Sequence, residues 1–224
     1  MIYKIIVLFF LVLTILPRLK TELPEGFVYV KTIIPDLDVE LRYHTSHNFV
    51  GDTITGYKAN KLILTLRTAE ALKQVQEELE IQNLCLKVYD GYRPQRAVNH
   101  FVDWARKLDD TINKQEFYPK VKKQNLFEEG YIASHSGHSR GSTLDLTITD
   151  GNTGIPLDMG SPYDFFGPES WVDYGSITKA QKSNRKLLQE VMQKYNFRNY
   201  ENEWWHFTLR WEPFPDTYFD FEVE

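Results

Sequence analysis

A single α+β domain, with a central, mainly antiparallel sheet flanked by helices, is the fold this sequence predicts. Three observations carry the prediction. Helical patterns come early and late, strand-like runs lie between them, and no regular strand–helix–strand rhythm marks a parallel sheet. The length, 224 residues, suits one domain with a sizeable core. Hydrophobic residues at 42% and charged residues at 25% sit near globular averages, which argues against disorder, collagen and coiled coil.

Residues 1–20 stand apart from that domain. Lys4 gives a short positive start, and residues 5–16 form an almost unbroken apolar run. The run is short for a transmembrane helix of about 20 residues but suits a signal-peptide core. Pro17, Arg18 and Lys20 end it. No small-x-small cleavage signal follows and no cysteine is available for lipidation, so an uncleaved anchor tethering the chain to a membrane is the alternative. Both readings put the remaining domain, residues 23–224, outside the cytoplasm, in the periplasm or cell envelope. Cleavage would move the net charge from −5 to about −8.

Within the domain, residues 27–43 hold two β-type stretches, FVYVKTII and VELRY. Residues 66–79 read as a helix, with Leu66, Ala69, Leu72, Val75 and Leu79 on one face. The run LCLKVY at 84–89 reads as a buried strand ended by Asp90-Gly91, with Cys85 among its core residues. Pro94 opens a second helix that runs to about Lys107. Residues 143–149 alternate as a strand, 183–195 form a third helix, and 205–211 form a last strand before an aromatic, proline-rich tail.

Charge and cysteine content narrow the function. An acidic balance of −5 argues against a nucleic-acid binder, which needs a basic footprint. One cysteine, Cys85, excludes an intramolecular disulfide and any zinc site of several thiolates, so a metal would need His and carboxylates. Serine acyl-enzyme patterns and phosphate-binding glycine patterns are both missing from the sequence.

Three stretches concentrate the chemistry. SHSGHSRGSTLD, residues 134–145, is a glycine-rich loop running into a strand, so that His138 and Asp145 converge if the loop folds back over it. Surface histidines are the plainer account of this stretch alone. EWWH, residues 203–206, places a carboxylate and an imidazole around two tryptophans; a bend at Trp204 would bring both to one cleft. A core aromatic pair with solvated ends is its plainer account. DGYRP sets Arg93 between a strand end and a helix start, where it serves as a fixed cation or a surface salt bridge. Taken together they give His138, Asp145 and His206 as three metal ligands with a fourth position open for water. Glu203 is then the base and Arg93 the electrophilic partner.

SGHSRGSTLDLT, EWWHF and DGYRPQRAV, with LRYHTSHNFVG, MGSPYDFF and the tail LRWEPFPDTYFDF, resemble the D-alanyl-D-alanine dipeptidases, the VanX-type zinc dipeptidases. The resemblance runs from about Leu41 to the end of the chain. It implies a single-domain fold of the Hedgehog/D,D-peptidase type, one zinc ion per chain, a small D,D-dipeptide substrate and no protein partner. It implies zinc on His138, Asp145 and His206, with Glu203 as catalytic base and Arg93 stabilising the oxyanion. Ser136 and Tyr43 match substrate-pocket residues, and Asp164 in SPYD an acidic group near the substrate ammonium. His135 matches no ligand and is read as a bystander. A zinc D,D-carboxypeptidase trimming peptidoglycan stem peptides is the competing enzyme reading, and a cleft open on the amino side would favour it. A non-catalytic wall-binding or zinc-storing module is the reading from another class, and it has no need of Glu203 or Arg93.

Overall fold

The computed structural model describes residues 22–224, so the leader read from residues 1–20 lies outside the described residues. In chain order the strands are β1 (Phe27–Tyr29), β2 (Asp38–Val39), β3 (Ile63–Thr65), β4 (Leu84–Asp90), β5 (Thr143–Asp150), β6 (Phe197–Tyr200) and β7 (Glu203–Leu209). The helices are α1 (Leu66–Glu80), α2 (Gln95–Arg106), the single turn α3 (Lys114–Phe117) and α4 (Lys179–Lys194). A five-stranded sheet has the order β2-β4-β5-β7-β6, and β1 and β3 form a separate antiparallel ribbon. Only the β2–β4 pair of the large sheet is parallel. The architecture is α+β with a mainly antiparallel sheet, as the sequence predicts.

Sequence pattern explains most of these elements. The α1 stripe buries Ala69, Leu72, Val75 and Leu79, and α2 buries Ala97, Phe101, Trp104 and Ala105. Strand β5 is buried along almost its whole length, which suits its place at the centre of the sheet. Pro94 caps α2 from extended backbone and does not enter the first turn. No helix of the described residues is long and apolar enough to cross a membrane.

Several boundaries differ from the sequence reading. The two early β-type stretches shrink to β1 and β2, because Val30–Thr32 and Arg42–His44 turn into 3-10 helices. Helix α4 begins at Lys179, where Thr178 and Gln181 close a reciprocal capping box. The last strand starts at Glu203 and ends at Leu209, and Trp211 adopts a left-handed φ of 54°. Cys85 is half-buried and not a core residue. β3 and β6, both short, carry no pattern strong enough to read.

Candidate active site

Register across the sheet assembles the site. Asp90 of β4 is paired with Asp145 of β5, and Asp145 with His206 of β7. Paired residues on neighbouring strands point to the same face, so three chemically active side chains form one row across three strands. A fourth joins from the 3-10 turn Gly137–Arg140, which ends in Gly141 at φ 79° and delivers His138 onto that row. Gly141 has to be glycine: a Cβ there would stand 2.2 Å from the Phe27 ring.

Strand β7 is deformed where it carries EWWH. Asn199 of β6 pairs with Phe207, but the next residue, Tyr200, pairs with Glu203. Three residues, Trp204 to His206, are thus left unopposed as a bulge. In a regular strand Glu203 and His206 would face opposite sides about 10 Å apart. The bulge brings Glu203 Oε2 to 3.3 Å from His206 Nδ1 and buries both tryptophans.

His138 Nε2, His206 Nδ1 and Asp145 Oδ1 form a near-equilateral triangle. The two imidazole nitrogens are 3.4 Å apart, and each lies within reach of Asp145 Oδ1, at 3.4 Å and 3.1 Å. Among the described residues these three form a group able to hold a metal ion. A tetrahedral cation with ligands at about 2.0–2.1 Å sets those ligands about 3.3–3.4 Å apart. His138 Nδ1 lies 2.8 Å from the Gly91 carbonyl, an acceptor, which fixes the proton there and leaves Nε2 as a lone-pair donor. Asp145 Oδ1 is buried without a hydrogen bond, an orphan that a cation would satisfy. Burial opposes ionisation of Asp145, but the two imidazoles outweigh it and hold the carboxyl far below the usual range. Burial also pulls the His206 pKa down, yet the carboxylates of Asp145 and Glu203 raise it to about 9. Electronically and spatially the donor set fits a small divalent cation.

Arg93 is held from several sides. Its Nε donates to Asp90 Oδ2 at 2.9 Å, Nη2 lies 3.6 Å from Asp145 Oδ2, and the guanidinium sits over the Tyr43 and Phe101 rings. Burial works against this cation, but the acidic groups around it keep its pKa well above the ordinary value. Asp90 also accepts from Tyr57 Oη at 2.6 Å and stands 3.4 Å from His138 Nδ1. The sequence reading missed Asp90. An acid closing an apolar strand three residues before the key arginine was the available signal.

Asp164 is buried at a left-handed φ of 60° and accepts from Tyr43 Oη at 2.9 Å. Burial first, and the Asp145 charge second, push its carboxyl well above the usual carboxylate range. A cavity of about 270 Å3 contains Tyr43, Arg93, Ser136, His138, Asp145, Asp164, Glu203 and His206 in its walls. All eight residues singled out from the sequence therefore meet in one place. Ser136 has a structural task as well, since its hydroxyl accepts from the His138 N–H at 3.3 Å and caps the turn. His135 also lines the cavity, with its ring 4.7 Å from that of Tyr218.

The family model described as D-ala-D-ala dipeptidase matches residues 24–224. The chain belongs to that family. It is 38% identical to the D-alanyl-D-alanine dipeptidase of Enterococcus faecium over 199 residues, covering 89% of this chain and 98% of the relative. The D-alanyl-D-alanine dipeptidase of Streptomyces coelicolor is 39% identical over 88% of this chain and 98% of its own length. That of Escherichia coli is 31% identical, over 81% of this chain and 83% of its own. Family membership spans the described fold from its first strand to the aromatic tail, so the row of Asp90, Asp145 and His206 and the turn bearing His138 all lie inside the matched region.

Proposed function

We propose that this chain hydrolyses the D-alanyl-D-alanine dipeptide to two D-alanines, using one zinc ion held by His138, Asp145 and His206. The observation that carries the reading is the triangle of donor atoms with Glu203 and Arg93 beside it, in a chain of the dipeptidase family. When bound, zinc supplies Lewis acidity, lowering the pKa of a coordinated water towards about 7 and polarising a carbonyl. Glu203 takes a proton from the attacking water and returns it to the leaving amine as the C–N bond breaks. Arg93, locked by Asp90 and two aromatic rings, presents a fixed positive charge to the developing oxyanion.

Asp164 receives the substrate ammonium in this reading. A buried carboxyl with a raised pKa gains most from a cationic partner, because pairing restores its charged form. Substrate length follows from the same wall. The cavity, about 270 Å3, lies below the roughly 300–1,000 Å3 typical of drug-sized ligands, and its Asp164 and Tyr43 walls are buried. This closed end favours a free dipeptide over the longer stem peptide of a carboxypeptidase. Export to the periplasm or envelope belongs to the same proposal and rests on the charged start and apolar run of residues 1–20.

Zinc-loaded protein assayed on D-Ala-D-Ala, on its L,L isomer and on a longer peptide ending in D-Ala-D-Ala tests the reading. Turnover of the D,D-dipeptide alone is expected. Preferred cleavage of the longer peptide would replace it with the carboxypeptidase reading. Fractionation of the producing cells tests location, and activity wholly in the cytosol with residues 1–20 retained would overturn export.

A further inference from the structure

The wall that carries Asp164 has little regular structure of its own. Between Met159 and Trp171 the chain forms no strand and only the single 3-10 turn Pro168–Ser170. This stretch nevertheless supplies two cavity walls, Asp164 itself and Phe166, and Tyr163, whose hydroxyl donates to Asp145 Oδ2 at 3.2 Å. Asp164 also sits at a left-handed φ of 60°, uncommon for a residue other than glycine, in a stretch that no strand or long helix holds in place.

Arg185, on the first half of α4, grips both ends of it. Its Nε donates to the Met159 carbonyl at 2.6 Å, Nη1 to the Trp171 carbonyl at 2.6 Å and Nη2 to the Glu169 carbonyl at 2.7 Å. The residue is only 2% exposed. Burial pulls its pKa down to about 10, while Asp158 pulls the other way. Three backbone oxygens are an expensive way to keep a guanidinium out of water, so the arrangement costs stability that a buried apolar residue would not. Its planar fork suits the task, since one rigid group can tie two distant points of a loop together. The neighbouring turn of α4 adds Gln181 and Asn184, which hold Asp158 just outside the gripped stretch.

We infer that Arg185 is a positioning residue for the amino-terminal end of the substrate site, setting the backbone that presents Asp164 to the substrate ammonium. This rests on the reading of Asp164 given above. Arg185 touches neither the metal-binding triad nor the cavity, so its loss should weaken substrate binding and spare the chemical step.

Steady-state kinetics of the zinc-loaded full-length chain on D-Ala-D-Ala test this. Arg185→Met should raise KM at least about ten-fold while changing kcat less than about three-fold, with zinc content unchanged by elemental analysis. Arg185→Lys, which keeps a donor, should recover part of the KM. In an Asp164→Asn background, adding Arg185→Met should raise KM by no more than about two-fold further, because both act through one group. A normal KM in Arg185→Met, a fall in kcat with KM kept, or full multiplication of the two effects would each overturn the inference. If Arg185→Met does not fold, Arg185→Lys decides, and an unchanged KM there overturns it too. Asp164→Asn alone separates the two ideas. A raised KM in that variant beside a normal one in Arg185→Met sinks only the role of Arg185, whereas a normal KM in Asp164→Asn sinks the ammonium reading and this inference with it.

Discussion

Glu203 and His206 are both within reach of the cation site, yet they do different work. His206 Nδ1 is one corner of the donor triangle, and Glu203 Oε2 lies 3.3 Å outside it. His206→Ala therefore removes a ligand, and elemental analysis should find zinc lost along with activity; full zinc occupancy would strike His206 from the ligand set. Glu203→Ala leaves the triangle whole. Zinc should stay, and turnover should fall by about 100- to 10,000-fold, the usual contribution of a placed acid–base group. Near-normal turnover would make this carboxylate structural. Arg93→Ala should likewise keep zinc, and its kcat should fall by about 100- to 1,000-fold, the range for removing one oxyanion donor. Because Arg93 Nε is bonded to Asp90, that variant also strands a buried carboxylate, so a drop in melting temperature should accompany the lost rate.

At the scale of elements, the site is made by places where regular structure fails. The 3-10 turn before β5 aims His138, and the bulge in β7 brings Glu203 beside His206, placements that a helix or a straight strand would not give. Gly141→Ala tests the turn. A side chain at φ 79° and a Cβ at 2.2 Å from Phe27 should together cost about 2–4 kcal/mol of stability, read by urea unfolding, and should weaken zinc binding through His138. A stability change below about 0.5 kcal/mol would mean the turn relaxes freely. These failures also explain what could be read beforehand. Helix α1 was legible because it repeats an apolar face over several turns, and α2 because Pro94 marks its head. The residues of the site were legible as types, since His, Asp and Glu in glycine-rich or aromatic settings are rare. Their convergence was expected from the loop folding back and from the family resemblance, but the means was not legible, because it lies in pairing Asp90 with Asp145 and Asp145 with His206 across strands distant in sequence. The start of α4 was written in Thr178 and Gln181 but outweighed by the apolar periodicity that sets in later.

Across the whole molecule, the end of the chain returns to brace the start of the site from behind. The Phe219 N–H donates to the Ser139 carbonyl in the His138 turn, and the Gln95 N–H donates to the Phe219 carbonyl at the head of α2. Phe221 stacks on Tyr92 with centroids 4.0 Å apart, while its backbone exchanges two hydrogen bonds with the Tyr92 hydroxyl. Val223 pairs with Tyr57, whose hydroxyl reaches Asp90. Arg96 closes the set with ion pairs to Asp220 and Glu222. The segments bearing His138, Arg93 and Tyr57 thus share one aromatic buttress, so tail packing and site geometry should fail together. Phe221→Ala removes the stacked ring and its edge contacts with Phe27 while leaving the backbone bonds possible. A half-buried phenylalanine should cost about 2–3 kcal/mol here, somewhat below the 3–5 kcal/mol of a fully buried one. Urea unfolding should show that loss in a single transition, and kcat/KM should fall with it as Arg93 loosens. An unchanged midpoint, or a stability loss with unaltered kcat/KM, would mean that the tail covers the domain without holding the site.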